Sequence, residues 1–173
     1  MLIAASSILS AAASVHSISN YNISNDGEEF IKQYEKCSLV AYWDSNGYSI
    51  GYGHHAADIK EGQRITQKKA DEYFHKDIMR TVAAVNRLLR ELPYDYEFSQ
   101  GFIDGMCSLV YNCGENGVRQ STFYKRLLAC RVKNGIMDES DYNYTVAGVK
   151  VSRISCEAHK RRRHAEHLLM ASL

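Results

Sequence analysis

Proline is nearly missing from this chain, and so is net charge. A single Pro in 173 residues excludes a proline-rich linker, and twelve Tyr are not the composition of a disordered or low-complexity chain. No internal repeat is apparent, which excludes a solenoid or propeller. The 21 basic and 20 acidic residues leave a net charge of +1, so no overall field directs the chain to nucleic acid. Paired Cys-x-x-Cys and His-x-x-x-His spacings are absent even around His54, His55 and His75, so no metal site is expected. The five cysteines, Cys37, Cys107, Cys113, Cys130 and Cys156, are an odd number, and counting them does not settle the redox compartment. Cys37 lies close after Glu35, and its expected fate is packing as a small hydrophobe rather than redox control.

The most local absence is at the N-terminus, where Asp26 is the first residue among Lys, Arg, Asp and Glu. The Ala-, Ser-, Ile- and Leu-rich run from Leu2 to Val15 has the length of a signal-peptide h-region, and Ala11 to Ser14 offer small residues for cleavage. It has no basic flank and falls well short of the roughly 20 apolar residues of a spanning helix. Two readings stay open: an export or membrane-release segment through which the chain associates with a membrane, and an arm packed on the domain or a partner. The expected organisation is this segment over 1–26 and one globular domain over 27–173, because the length suits a single core.

From Asp26 onward the elements can be read. Asp26 and Glu29 form a capping-box pattern, and Phe30, Ile31 and Tyr34 follow at helical spacing, which predicts a helix from Gly27 to about Cys37 with Glu35 in its last turn. Alternation in LVAYWDSNGYSIGYGHH around Asp44-Ser45-Asn46-Gly47 predicts a β-hairpin. Thr66 caps a stripe of Ala70, Tyr73, Phe74, Ile78, Val82, Val85, Leu88 and Leu89 that Pro93 stops. A second helix from about Phe98 to Cys113 buries Phe102, Met106, Leu109 and Val110, with Gly114 placed to end it. Ser121 caps a shorter helix, Asp138 to Val146 offers another, and Ser155 to Met170 closes the chain. The fold class is therefore α+β, a small N-terminal hairpin sheet beside a mainly helical core.

Hydrolysis of a glycosidic bond asks for one carboxyl group that carries a proton to the leaving oxygen and a second that stays ionised to direct water or balance positive charge. Glu35, at a helix end among apolar neighbours, and Asp44, beside a solvated turn, suit those two environments. A Glu and an Asp at this separation occur in most proteins, so the pair is informative only in its surroundings.

Those surroundings are EKCSLVAYWDSNGYSIGYGHH from Glu35, and the string resembles the phage T4-type lysozyme family, glycoside hydrolase family 24. Further similarity lies in GQRITQKKADEYFHKDI from Gly62, FIDGMCSLVYNCG from Phe102, STFYKRL from Ser121 and RRHAEHLL from Arg162, so the likeness runs from about Glu28 to Leu169. The resemblance implies a lysozyme-like fold, Glu35 as general acid and Asp44 as the carboxylate that positions or activates an inverting water. Ser49 stands where the family has Thr and lacks the methyl group that restricts its first torsion. Only four residues separate Asp44 from Ser49, against five in the family pattern, and a one-residue register change would turn Ser49 to the other face. His54 matches the family's His after Gly-Tyr-Gly, with a supporting role expected, while His55 replaces a more usual Thr. Asn112 with Gly114, and Ser121 with Thr122, match segments that line the substrate or cap helices. The basic run HKRRRH from His159 reads either as a contact for an acidic polymer or as a solvated helix face.

The resemblance thus implies a muramidase that cleaves the β-1,4 bond from N-acetylmuramic acid to N-acetylglucosamine in peptidoglycan, with no cofactor. Such an enzyme acts in the bacterial periplasm or cell wall, whether exported, phage-encoded or virion-associated. Two alternatives stay open: a lytic transglycosylase, which needs no water-directing Asp, and a catalytically silent lysozyme-like module that binds peptidoglycan or plays a structural part.

Overall fold

The computed structural model describes residues 20–93, 97–129 and 157–171. The element order is α1 (Asn25–Glu35), β1 (Ser38–Asp44), β2 (Gly47–Gly51), β3 (His54–His55), α2 (Gln67–Arg90), α3 (Gln100–Gln120), α4 (Thr122–Leu128) and α5 (Glu157–Ala171). The architecture is α+β, as expected: a three-stranded antiparallel sheet in the order β1-β2-β3 beside a helical core. The expected helix at Asp138–Val146, Cys130, Cys156 and most of the uncharged N-terminal segment lie outside the described residues.

The core forms where the apolar stripes of α2 and α3 meet. Phe74, Ile78, Val85 and Leu88 from α2 and Phe102, Ile103, Met106 and Leu109 from α3 are buried together with Phe123 and Leu127 of α4. Each such side chain contributes roughly 1.5–3 kcal/mol through removal from water. Thr66 caps α2 as expected, its hydroxyl accepting from Lys69 N at 3.2 Å.

One helix limit differs from the expectation. The cap of α1 is Ser24 rather than Asp26: its hydroxyl accepts from Gly27 N at 3.0 Å and donates to Asp104 Oδ2 at 2.5 Å, while Ser24 N donates to Asp104 Oδ1 at 2.9 Å. The buried Asp104 thereby ties the start of α1 to α3, a contact that no local cap pattern records. Gly114 ends the expected helix: it sits at φ 71°, open to Gly at no steric cost, and a second helical segment runs on past this kink to Gln120. No helix among the described residues is long and apolar enough to cross a membrane.

Candidate active site

Glu35 is the last residue of α1. Lys36 follows at φ 56° and ψ 155°, a backbone region that residues with a side chain rarely adopt, so the chain turns off the helix directly beneath the carboxylate. The apolar shielding expected around Glu35 is replaced by a guanidinium: Arg162 Nη1 donates to Glu35 Oε1 at 2.5 Å, with the Glu35 side chain 18% exposed. The other oxygen, Oε2, lies on the side of Gly53, 3.7 Å from where a Cβ would stand. Gly53 is at φ +88°, so a side chain there would be strained as well as close to the carboxylate. One oxygen of Glu35 is thus held while the other faces the hairpin.

Arg162 is itself buried, over the ring of Tyr34 at 5.5 Å from its centroid. Its Nε donates to Glu166 Oε1 at 3.1 Å, and its Nη2 donates to Ser108 O and Oγ, both at 3.2 Å. Burial alone would push its pKa down, but the charges of Glu35 and Glu166 outweigh that and hold it above the ordinary value. Glu166 also accepts from Ser108 Oγ at 2.6 Å and pairs with Arg163, which reaches on to Asn112 Oδ1. The run from His159 is therefore not a uniformly solvated face, because Arg162 and Arg163 point into the protein and only Arg161 and His164 among its described side chains are exposed.

The hairpin supplies the other side. Register pairs Tyr42 with Ser49, Trp43 with Tyr48 and Asp44 with Gly47, and Ser49 pairs in turn with His55. Directly paired residues and alternate residues share a face, so Tyr42, Asp44, Gly47, Ser49 and His55 lie on one side of the sheet. The shortened tip therefore leaves Ser49 on the same side as Asp44, because Ser45 and Asn46 close the turn as a pair. The opposite side carries Ile50 and His54 and packs on α2, where His54 Nδ1 meets Asp77 Oδ2 at 2.7 Å and its ring stacks on Tyr73.

Asp44 is exposed, and its carboxylate takes only the Ser45 hydroxyl at 3.3 Å among the described side chains. Tyr42 connects the two carboxylates electrostatically. Its hydroxyl is raised above the ordinary value by burial and then by the negative charges of Asp44 and Glu35. Tyr111 lies deeper, donates to Tyr52 O at 2.9 Å, and is pushed up by burial and by the charges of Asp77 and Glu35. A carboxyl group at a helix end and an exposed carboxylate on a strand end thus both lie near Tyr42.

The remaining expected site residues divide. Ser49 is on the same side of the sheet as Asp44 but only 1% exposed. Ser121 is fully buried, its hydroxyl donating to Val118 O and accepting from Tyr124 N as the cap of α4, with Thr122 half-buried in the first turn. Asn112 is half-buried and engaged by Arg163. Sequence reading missed Tyr42 altogether and named Arg162 only as the start of a family-like segment and as part of the basic run. The i,i+4 spacing of Arg162 and Glu166 was the available signal, and on its own it describes any salt-bridged helix. No group of three metal-binding side chains occurs among the described residues.

Comparison with known proteins gives the family. The phage lysozyme family model matches residues 32–166, a span that contains α1's end, the hairpin and α5's buried ion network. The endolysin of Acyrthosiphon pisum secondary endosymbiont phage 1 is 35% identical over 107 residues, which cover 61% of this chain and 69% of that protein. The endolysin of Bacillus phage B103 is 32% identical over 111 residues, which are 62% of this chain but only 40% of that longer protein. Among solved structures, the muramidase domain of SpmX from Asticaccaulis excentricus superposes with a TM-score of 0.71 at 26% identity, over 88% of this chain and 99% of that one. With a carboxylate on the first helix, an acidic hairpin tip and a fold shared along nearly its whole length, this chain belongs to the phage lysozyme family.

Proposed function

We propose that the chain is a muramidase that hydrolyses the β-1,4 bond between N-acetylmuramic acid and N-acetylglucosamine in peptidoglycan and so lyses the bacterial cell wall. The observation that carries this reading is the unequal pair of carboxyl groups near Tyr42: Glu35, held through Oε1 by Arg162, and Asp44, exposed at the end of β1. In this reading Glu35 Oε2 gives its proton to the glycosidic oxygen as the bond to the anomeric carbon breaks. Asp44 takes a proton from the water whose oxygen forms the new bond to that carbon. Arg162 fixes the acid's orientation and Ser49 belongs to the floor of the water side. His54, Asn112, Ser121 and Thr122 belong to the substrate-binding side of the enzyme in this reading.

Residues 27–173 form the catalytic unit of a phage-encoded enzyme that acts on the cell wall from the periplasmic side. Residues 1–26 are the part that would export it or hold it at the membrane. Recovery of protein with Met1 intact from the soluble cytoplasm would overturn that assignment of the N-terminal segment.

The test of the reaction is release of reducing ends from purified peptidoglycan by wild type, Glu35→Gln and Asp44→Asn. Wild type is expected to be active, and each variant to lose on the order of 10²-fold or more in kcat. Anhydro-sugar products would assign a lytic transglycosylase instead. Binding of peptidoglycan without any product, unchanged in Glu35→Gln, would assign a silent binding module.

A further inference from the structure

Two departures from the family pattern, Ser49 and His55, are six positions apart in the chain and touch in the structure. They are direct cross-strand partners, and Ser49 Oγ lies 3.4 Å from His55 Nδ1. The serine is 1% exposed while the histidine is exposed, so the hydroxyl sits beneath the ring and the ring is what meets solvent. The imidazole extends over Gly47, where a Cβ would stand 3.1 Å from Nε2 and closer still to Cε1. Gly47 is the direct partner of Asp44, and all four residues share one side of the sheet. Ring nitrogen Nε2 is thereby brought to the edge of the sheet that carries the exposed carboxylate.

We propose that His55 is part of the water site of this enzyme, with Ser49 as the residue that orients it. The inference rests on the muramidase reading above. Nδ1–H donates to Ser49 Oγ, which fixes the ring and leaves Nε2 as an acceptor beside Asp44. A water between them gives one hydrogen to the Asp44 carboxylate and the other to Nε2, so that an oxygen lone pair is directed at the anomeric carbon. On attack, that oxygen bonds to the carbon and its proton passes to Asp44. The glycosidic bond breaks with its electron pair on the leaving oxygen, and Glu35 protonates it. His55 holds the water and takes no net proton. A serine without the torsional restraint of threonine, covered by a ring, is suited to anchoring a neighbour and poorly suited to holding the water alone.

The experiment compares kcat and KM for reducing-end release by wild type, His55→Ala, Gly47→Ala, Ser49→Ala and the double variant Ser49→Ala/His55→Ala. Thermal midpoints establish that each variant is folded. His55→Ala is expected to lower kcat by on the order of 10- to 100-fold, with KM within about twofold, since it removes an interaction made on the way to the transition state. Gly47→Ala keeps the imidazole but leaves no room for it over the strand, and should reproduce that loss. Ser49→Ala should cost less, and the double variant should be no worse than His55→Ala alone, because the serine acts through the histidine. An active wild type with His55→Ala and Gly47→Ala within about twofold of it overturns the proposal and leaves the muramidase reading intact. A wild type that releases nothing overturns both.

Discussion

Glu166→Gln tests whether the buried ion network is what holds α5 to the core. Glu166 is 1% exposed and is shared by Arg162 at 3.1 Å, by Arg163 and by the Ser108 hydroxyl at 2.6 Å. Removing one member of a buried pair typically costs about 3–5 kcal/mol, because the partner charge stays buried without compensation. Here glutamine still accepts from Ser108, and Arg162 retains Glu35, so the lower end, about 3 kcal/mol, is expected. For a chain of this size that corresponds to a fall of about 10 °C in Tm. Urea unfolding should show a lower midpoint with an unchanged slope. The control is Glu72→Gln, which loses the exposed Lys69 pair at 3.0 Å and should cost less than about 1 kcal/mol. If the two variants unfold at the same urea concentration, the network contributes no more than a surface pair and the reasoning fails.

A second expectation concerns acid. Hydrogen bonds from Arg87 and then Arg119 lower the Glu115 carboxyl from 4.5 to about 2, and Arg119 likewise lowers Glu91. A carboxyl lowered by folding adds stability above its unfolded value and loses it as pH falls through the folded one. The stabilisation from Glu115 should therefore fade between about pH 4.5 and about pH 2. With solvent screening of this partly exposed cluster it is worth on the order of 1 kcal/mol. Glu115→Gln should flatten that limb in urea midpoints taken against pH, and an unaltered limb would remove Glu115 as its source. A third expectation concerns the start of α1: Asp104→Ala leaves the Ser24 amide and hydroxyl without the acceptor they share, at a cost of about 2–3 kcal/mol. Because α1 carries Glu35, kcat should fall as well, and a variant with wild-type urea midpoint and kcat would show that Asp104 does not anchor the helix.

What the sequence made legible and what it did not follow from the range of each interaction. The helix α2 was readable because its evidence is local: the Thr66 cap, an apolar stripe at helical spacing and Pro93 beyond its end. The cap of α1 was misplaced because Ser24 is selected by Asp104, 80 positions away. The second half of α3 was unexpected because Gly114 reads as a stop. The chain resumes its helix where Glu115 and Arg119 find partners on Arg87 and Glu91 at the end of α2. The site divides in the same way. Glu35 and Asp44 sit within one short pattern, whereas Arg162 reaches Glu35 across 127 positions, and its spacing to Glu166 looks like that of any surface ion pair. His55 is the intermediate case. Its departure from the family pattern was visible as a letter, but only the pairing of β2 with β3 brings it against Ser49, the other departure. Two substitutions that look like separate losses in the sequence share one contact in the fold, which is the arrangement expected when one compensates for the other.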